Sequence, residues 1–346
     1  MSRPRTERPT LAEVADAAGV SRATVSKVLN GRHDVSPETR SRVELLLDEH
    51  AYVRRSAARG ADAPAVTARG GLDLVVDSLE NPYTLEVIRG VTQAAEEEGL
   101  ELVLTMSSAD GAPAWVERVT AAGRQGAIVV TSSVSAPQRR ALAVARVPLV
   151  LIDPLVVTDD VPSVGVTNWA GGLAATEHLI ELGHRRIAVL SGVPHASSAI
   201  ARVHGFRAAL ANAGLTADPD LIRPGDFGPV LARDSALELL RRRRPPTAIF
   251  ATSDAQALGA VAAARAAGLA VPRDLSVVGF DGLPLMEWSS PPLTTVQTPM
   301  ADMGRMAVRT LAYLAGGGEL ESARIELSTR LVVRESTAPP REDAGN

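Results

Sequence analysis

Residues 10–30 read TLAEVADAAGVSRATVSKVLN, in which two short segments of helical period flank a glycine. Thr10 can accept the first backbone N–H groups of a helix that runs through Ala15. Gly19 can take the left-handed conformation of a tight turn, and Ser21 can then cap a second helix. The stretch therefore predicts a helix-turn-helix, a unit whose second helix enters the major groove of DNA.

The outer face of the second helix would carry the side chains that read bases, with Arg22, Ala23 and Lys27 near its start. Ser36 and Pro37 favour a third helix that turns Val43 inward. The spacing alone also fits a three-helix domain with a partner other than DNA. The DNA contacts that we predict come from Thr10, Ser21, Arg22, Ala23, Thr24, Ser26, Lys27, Asn30, Tyr52, Arg54, Arg55 and Arg59.

Composition divides the 346 residues into four parts. We predict a helix-turn-helix domain at 1–52, a hinge or linker at 53–71, a core at 72–336 and a polar tail at 337–346. Residues 1–62 hold 11 Lys or Arg and 9 Asp or Glu, whereas the whole chain has a net charge of −4. The positive excess therefore lies with the predicted DNA-binding part, although an excess of two charges is weak evidence by itself.

The core alternates short apolar runs with Ala- and Leu-rich segments of helical period. The runs are nearly continuous in apolarity, which is typical of strands buried on both faces of a parallel sheet. These runs are more numerous than the strands of a typical single sheet, so we predict an α/β core of two parallel-sheet subdomains. The predicted strands are 72–77, 100–106, 126–132, 148–153, 186–192, 247–254, 276–281 and 293–298.

Four of these runs end in an aspartate: Asp77, Asp153, Asp254 and Asp281. Ligands of open parallel sheets bind outside the carboxyl ends of the strands, so these side chains are candidates for a binding site. An aspartate at such a position can instead simply cap the next helix or turn.

Several classes of function are disfavoured by what the sequence lacks. It has no cysteine, and its six histidines show no metal-ligand spacing. We find no phosphate-binding glycine loop, no nucleophile elbow and no zinc-protease motif, so we predict no enzymatic activity, no metal and no cofactor. An export signal and a membrane span are also missing, which predicts a cytoplasmic protein.

The pattern TLxEVAxxAGVSxxTVSxVLN followed by VSxETRxRV closely resembles the N-terminal domain of the lac repressor (LacI/GalR) family of bacterial regulators. Further motifs extend the resemblance over nearly the whole chain: NPY at 81–83, GHRRI at 183–187, RVHGF at 202–206, SVVGFD at 276–281, PPLTT at 291–295 and LVVRES at 331–336. The resemblance implies a periplasmic-binding-protein-like core in which the chain crosses between two subdomains. We expect one subdomain to combine 72–161 with 293–322, and the other to combine 162–292 with 323–336.

The resemblance also implies a small-molecule effector, most simply a sugar, bound in the cleft between the subdomains. Some short stretches of the sequence are similar to those of family members associated with xylosides and other plant sugars. Arg202 could alternatively serve as a structural ion pair, and Phe227 could belong to the core. The effector-binding residues that we predict are Tyr83, Thr84, Asp153, Asn168, Arg202, Phe227, Ser253 and Asp281.

The function that follows is a homodimeric repressor of a palindromic operator, whose DNA affinity changes when the sugar binds. A DNA-free sugar-binding protein and a corepressor-dependent regulator of non-sugar metabolism are the alternatives. The linker departs from the family because it has no leucine near Ala61, where relatives insert one into the minor groove. Arg54, Arg55 and Arg59 could act there through phosphates instead, or could merely be solvated.

Overall fold

The computed structural model describes residues 71–107 and 114–341 and, nearer the N-terminus, residues 15, 17–21, 24–25, 28, 36, 39 and 42–43. The chain divides into two units, residues 1–67 and 68–346. Each unit is described by itself.

In the first unit a glycine ends one helix, and a serine begins the next. Gly19 has φ +66°, and the backbone N–H of Val20 donates to the carbonyl oxygen of Ala15 at 3.0 Å. This is the Schellman arrangement, in which a left-handed glycine closes a helix. The Ser21 hydroxyl then accepts the backbone N–H of Thr24 at 3.2 Å, which confirms its predicted capping role.

Small apolar side chains hold this unit together. The backbone N–H of Thr39 donates to the Ser36 hydroxyl at 3.3 Å, so a third helix begins where the sequence predicts it. The described residues of the unit's core are buried together: Ala15, Ala18, Val25, Val28 and Val43.

The second unit contains two six-stranded sheets, each flanked by helices. The first sheet has the order β11-β5-β4-β3-β1-β2 and is parallel throughout. Its strands are β1 (Leu72–Val76), β2 (Leu102–Met106), β3 (Gly126–Val130), β4 (Leu149–Ile152), β5 (Ser163–Val166) and β11 (Arg324–Leu327). Its helices are α1 (Pro82–Glu97), α2 (Ala114–Ala121), α3 (Ala136–Val144) and α8 (Met300–Ala315).

The second sheet has the order β12-β10-β9-β8-β6-β7 and is parallel except for the edge pair β10–β12. Its strands are β6 (Ile187–Leu190), β7 (Ile222–Arg223), β8 (Ala248–Ala251), β9 (Ser276–Asp281), β10 (Thr294–Gln297) and β12 (Arg330–Val332). Its helices are α4 (Asn168–Glu181), α5 (Ser197–Asn212), α6 (Pro229–Leu240) and α7 (Asp254–Ala266). The predicted fold of an N-terminal helix-turn-helix and a two-sheet α/β core is confirmed.

The chain crosses between the two sheets three times, at 167, 298–299 and 328–329. The predicted subdomain boundaries are wrong at each crossing. The segments 163–166 and 324–327 pair in the first sheet, and 294–297 pairs in the second. Parallel pairing between β5 and β11 is a long-range contact, so local composition does not reveal it.

Glycines allow the helices of the second subdomain to touch backbone to backbone. A Cβ on Gly205 of α5 would overlap the carbonyl oxygen of Trp169, and one on Gly172 of α4 would overlap that of Arg202. The α1–α8 pair has the same arrangement at Gly90 and Gly304. Only glycine fits at such a crossing, which gives a structural reason for the glycine of the RVHGF motif.

The last described residues are docked on the second sheet, although 337–346 was predicted as a separate polar tail. The buried His184 ring lies 2.9 Å from the carbonyl oxygen of Ala338 and 3.0 Å from the Ser276 hydroxyl. The backbone N–H of Ala338 also donates to the Ser276 hydroxyl. The histidine of the GHRRI motif therefore anchors the C-terminal segment.

Candidate functional site

The carboxyl ends of strands from both sheets meet at one cleft with a volume of about 210 Å³. This is small for a ligand site, since such pockets usually enclose about 300–1,000 Å³. The first subdomain contributes Asp77, Asn81, Tyr83, Thr131, Asp153 and Leu155 to its lining, and the second contributes Val193, Ser198, Arg202, Phe227, Ser253, Ala255, Asp281 and Leu283.

Arg202 is the fixed cation of the cleft. Its Nε donates to Asn168 Oδ1 at 2.8 Å, and its Nη1 donates to the carbonyl oxygen of Thr252 at 2.6 Å. The guanidinium lies over the Phe280 ring, with Cζ 3.7 Å from the ring centroid. Its Nη1 lies 3.6 Å from an Asp281 carboxylate oxygen. These contacts orient the guanidinium before any ligand arrives, and they include the structural ion pair considered from the sequence.

Three cleft residues at strand ends have left-handed backbones. Thr131, Asp153 and Asp281 have φ values of 48°, 45° and 119°. Residues other than glycine rarely adopt such values, and strained positions of this kind cluster at functional sites. The turn at each strand end presents the side chain to the cleft.

Burial, more than any neighbouring charge, governs the acidity of the cleft. It raises the pKa of Asp281 well above its usual range, although the Arg202 guanidinium acts in the opposite direction. It also raises the pKa of Asp153 against the effects of Arg202 and Arg324. The Tyr83 hydroxyl, which donates to Asp153 Oδ2 at 3.4 Å, has its pKa raised by burial and by that carboxylate. Burial therefore favours the protonated forms of these groups.

Phe227 supplies an apolar surface beside these polar groups. Its half-buried ring packs on Gly192, where a Cβ would overlap the ring, so a side chain at that position would displace it. The Ser253 hydroxyl donates to the Phe227 carbonyl oxygen at 2.9 Å and accepts the backbone N–H of Gln256. Ser253 therefore both caps α7 and holds the Phe227 loop.

Two of the eight predicted effector residues do not line the cleft. Thr84 is fully buried, because one step along α1 from Tyr83 points a side chain about 100° away. Asn168 is 5% exposed and accepts from Arg202, so it positions the guanidinium. Asp254, a strand-end candidate, accepts from Thr295 Oγ1 and Leu283 N, which is the structural role left open from the sequence.

Of the predicted DNA contacts, Ser21 and Thr24 are described by the structure. Their hydroxyl oxygens lie 2.9 Å apart at the start of the second helix. Thr10, Arg22, Ala23, Ser26, Lys27, Asn30, Tyr52, Arg54, Arg55 and Arg59 lie outside the described residues.

Comparison with known proteins matches both units. The family profile of bacterial regulatory proteins, lacI family, matches residues 10–55, and that of the periplasmic binding protein-like domain matches 176–337. The HTH-type transcriptional regulator CelR of Thermobifida fusca is 36% identical, over 96% of this chain and 99% of that protein. This chain belongs to the lacI family. MalR of Streptomyces coelicolor, another HTH-type transcriptional regulator, is 34% identical over 95% of this chain and 96% of its own length.

Solved structures of lacI-family regulators have the same architecture. A CelR–cellobiose complex superposes with a TM-score of 0.72 at 35% identity, covering 95% of this chain and 100% of that one. A lac repressor dimer bound to operator and an anti-inducer gives 0.69 at 28% identity, covering 96% and 100%. The predicted assignment to a family of DNA-binding transcriptional regulators is confirmed. No helix in the described parts of the chain has the length and apolarity that a membrane span requires.

The cleft of this lacI-family chain includes polar residues that the sequence did not indicate as ligands. Asn81, Thr131 and Ser198 line it with Asp77, which was considered only as one of four strand-end aspartates. Thr131 directly follows an apolar run, so the strand-end rule extended from aspartate to any polar residue would have found it.

Proposed function

We propose that this chain is a homodimeric transcription regulator whose operator affinity is set by a sugar in the cleft. The observation that carries the proposal is that Arg202, Asp281 and Asp153 line one cleft together with the ring of Phe227. A pyranose offers hydroxyls around its rim and C–H groups on its faces. A guanidinium and carboxylates suit the rim, and an aromatic ring suits a face.

A sugar in the cleft would touch both subdomains and so favour the closed arrangement. The crossings lie close to the ligand contacts: Thr298 donates to the Asp281 carbonyl oxygen through its backbone N–H at 2.9 Å and its hydroxyl at 3.0 Å. The Thr167 and Thr329 hydroxyls, on the other two crossings, lie 3.0 Å apart. A ligand that moves Asp281 would therefore bias the crossings, and it shifts the equilibrium by its difference in affinity for the two arrangements.

A second copy of the chain would provide the second DNA-binding domain for a palindromic site. The second subdomain has a set of exposed apolar side chains, and a dimer contact would remove such side chains from water. The set consists of Val230, Leu231, Leu285 and Trp288, each more than half exposed. The lac repressor structure that resembles this chain is a dimer on operator. Binding to the bacterial chromosome would place the protein in the cytoplasm.

The effector in the CelR structure is cellobiose, which makes cellobiose, xylobiose and their monosaccharides the first ligands to test. The full chain is first used to select its operator from random duplexes, and binding is then followed by fluorescence anisotropy. We expect at least one sugar to weaken operator binding, and Asp281→Asn to bind the operator normally while losing the response. An Asp281→Asn variant that responds like the wild type would contradict the proposal.

The same assay separates the alternatives. Sugar binding without selection of any operator would indicate a sugar-binding protein with no DNA role. Tighter operator binding with a small molecule would indicate corepression. Arg22→Ala should relax base preference at one position in each half-site, by about 1–3 kcal/mol. An equal loss for all DNA sequences would show that Arg22 contacts only phosphate.

A further inference from the structure

A second cavity of about 240 Å³, which we call the side cavity, adjoins the cleft. The two share Asp153 and Ser198 in their linings, so an occupant of one is in reach of the other. The cleft has almost the same volume, about 210 Å³. The site therefore consists of two compartments of similar size.

Trp169 gives the side cavity an aromatic wall. It lies in the first turn of α4, and 48% of its surface is exposed, although its neighbour Asn168 is buried. Leaving an indole half in water forgoes much of the free energy that burying it would contribute. A planar apolar surface of this kind, next to hydroxyls and charges, suits the C–H face of a sugar.

The polar groups of the side cavity repeat those of the cleft. Arg324 Nε and Nη2 donate to one Glu326 carboxylate oxygen at 2.9 and 2.7 Å, where the cleft has Arg202 beside Asp281. Ser197 and Ser198 add half-buried hydroxyls at the start of α5. Each compartment is thus lined by an arginine, by at least one aromatic ring and by more than one carboxylate, of which Asp153 is shared.

We propose that the side cavity is a second sugar subsite, so that the effector is a disaccharide with one ring against Phe227 and the other against Trp169. This rests on the proposed sugar response of the cleft. Arg324 and Glu326 belong to the first subdomain, and Trp169 and Ser197 belong to the second. The second ring therefore bridges the subdomains as the first does, and a monosaccharide leaves half of the bridging contacts unmade.

The test is isothermal titration calorimetry of the full chain with glucose, cellobiose, xylose and xylobiose. We expect one disaccharide to bind the wild type at least about tenfold more tightly than its own monosaccharide, a difference of about 1.4 kcal/mol. Trp169→Ala should weaken that disaccharide by about tenfold while leaving the monosaccharide within about threefold. Trp169→Phe keeps a ring in place and should restore most of the loss.

Val156→Ala is the matched control, because Val156 is 49% exposed and lines neither compartment, although its chain neighbours Leu155 and Val157 each line one. It should leave both affinities unchanged. The subsite is overturned if Trp169→Ala weakens both sugars equally, or if the wild type binds no disaccharide more tightly than its monosaccharide. A wild type that selects an operator and binds none of the four sugars overturns the sugar response of the cleft as well, which distinguishes the two failures.

Discussion

Replacing Arg202 with methionine tests how far the cleft depends on one buried cation. The change removes hydrogen bonds to Asn168 and to the Thr252 carbonyl, and it leaves the Asp281 carboxyl buried without its guanidinium. Breaking a buried ion pair from one side costs about 3–5 kcal/mol. Methionine fills part of the space, and burial already favours the neutral form of Asp281, so we expect the lower end, about 3 kcal/mol at pH 8.

The loss should shrink as the pH falls. Burial raises the pKa of Asp281, and the Arg202 guanidinium opposes this effect, so its removal raises the pKa further. At high pH the folded variant must either bury the Asp281 carboxylate without a counter-charge or protonate it at a low proton concentration, and both cost free energy. At low pH the proton is supplied, and only the lost hydrogen bonds remain, at about 1–2 kcal/mol.

The measurement is urea unfolding at pH 8 and pH 5, followed by tryptophan fluorescence at one fixed protein concentration. All three tryptophans, at 115, 169 and 288, lie in the second unit, so the signal reports on that unit alone. Arg207→Met is the control, because Arg207 is exposed on the same helix, and it should change stability by less than about 0.5 kcal/mol. The double variant with Asp281→Asn should lose at least about 1 kcal/mol less than the sum of the single losses. Additive, pH-independent losses would refute the reasoning.

Three further predictions concern stability. Gly205→Ala should destabilise the core by about 1–3 kcal/mol in the urea assay, because its methyl group would overlap the Trp169 carbonyl; unchanged stability would mean that the helices separate freely. Burial raises the pKa of Asp254 to about 6, so the wild type should lose about 2 kcal/mol of unfolding free energy as the pH rises from 4 to 6, relative to Asp254→Asn. Parallel pH profiles would contradict this. Ser36→Ala removes the acceptor for Thr39 N and should cost the N-terminal unit about 1 kcal/mol, seen as faster amide hydrogen exchange; unchanged rates would show that the cap is dispensable.

Local sequence identified eight of the strands and missed β5, β7, β11 and β12. β1, β3 and β4 are continuous apolar runs because helices cover both faces of their sheet, and composition records that burial. The edge strand β11 reads RIEL and is partly exposed, so its composition resembles that of a loop. Its partner strand is 158 or more residues away along the chain, and only the folded arrangement selects it.

The sequence predicted those cleft residues that stand at the end of a strand or within a family motif. Asp153, Arg202 and Asp281 were identified in this way and do line the cleft. Thr84 does not line the cleft, because its neighbour Tyr83 does not fix the direction of its side chain, whereas Asn168 lines the side cavity instead of the cleft. The side cavity could not be predicted, since β11, α4 and α5 meet there only after the chain has crossed between sheets.

The glycine contacts between helices have a mechanical consequence. Backbone-to-backbone packing at Gly172, Gly205 and Gly90 leaves no flexible side chain to compress, so each sheet with its helices is a stiff body. Movement between the two subdomains is then concentrated in the three crossings, which act as a hinge. We expect substitutions at these glycine contacts to change stability and spare the ligand response. Substitutions at Thr167 or Thr329 should change the size of the response at nearly constant stability.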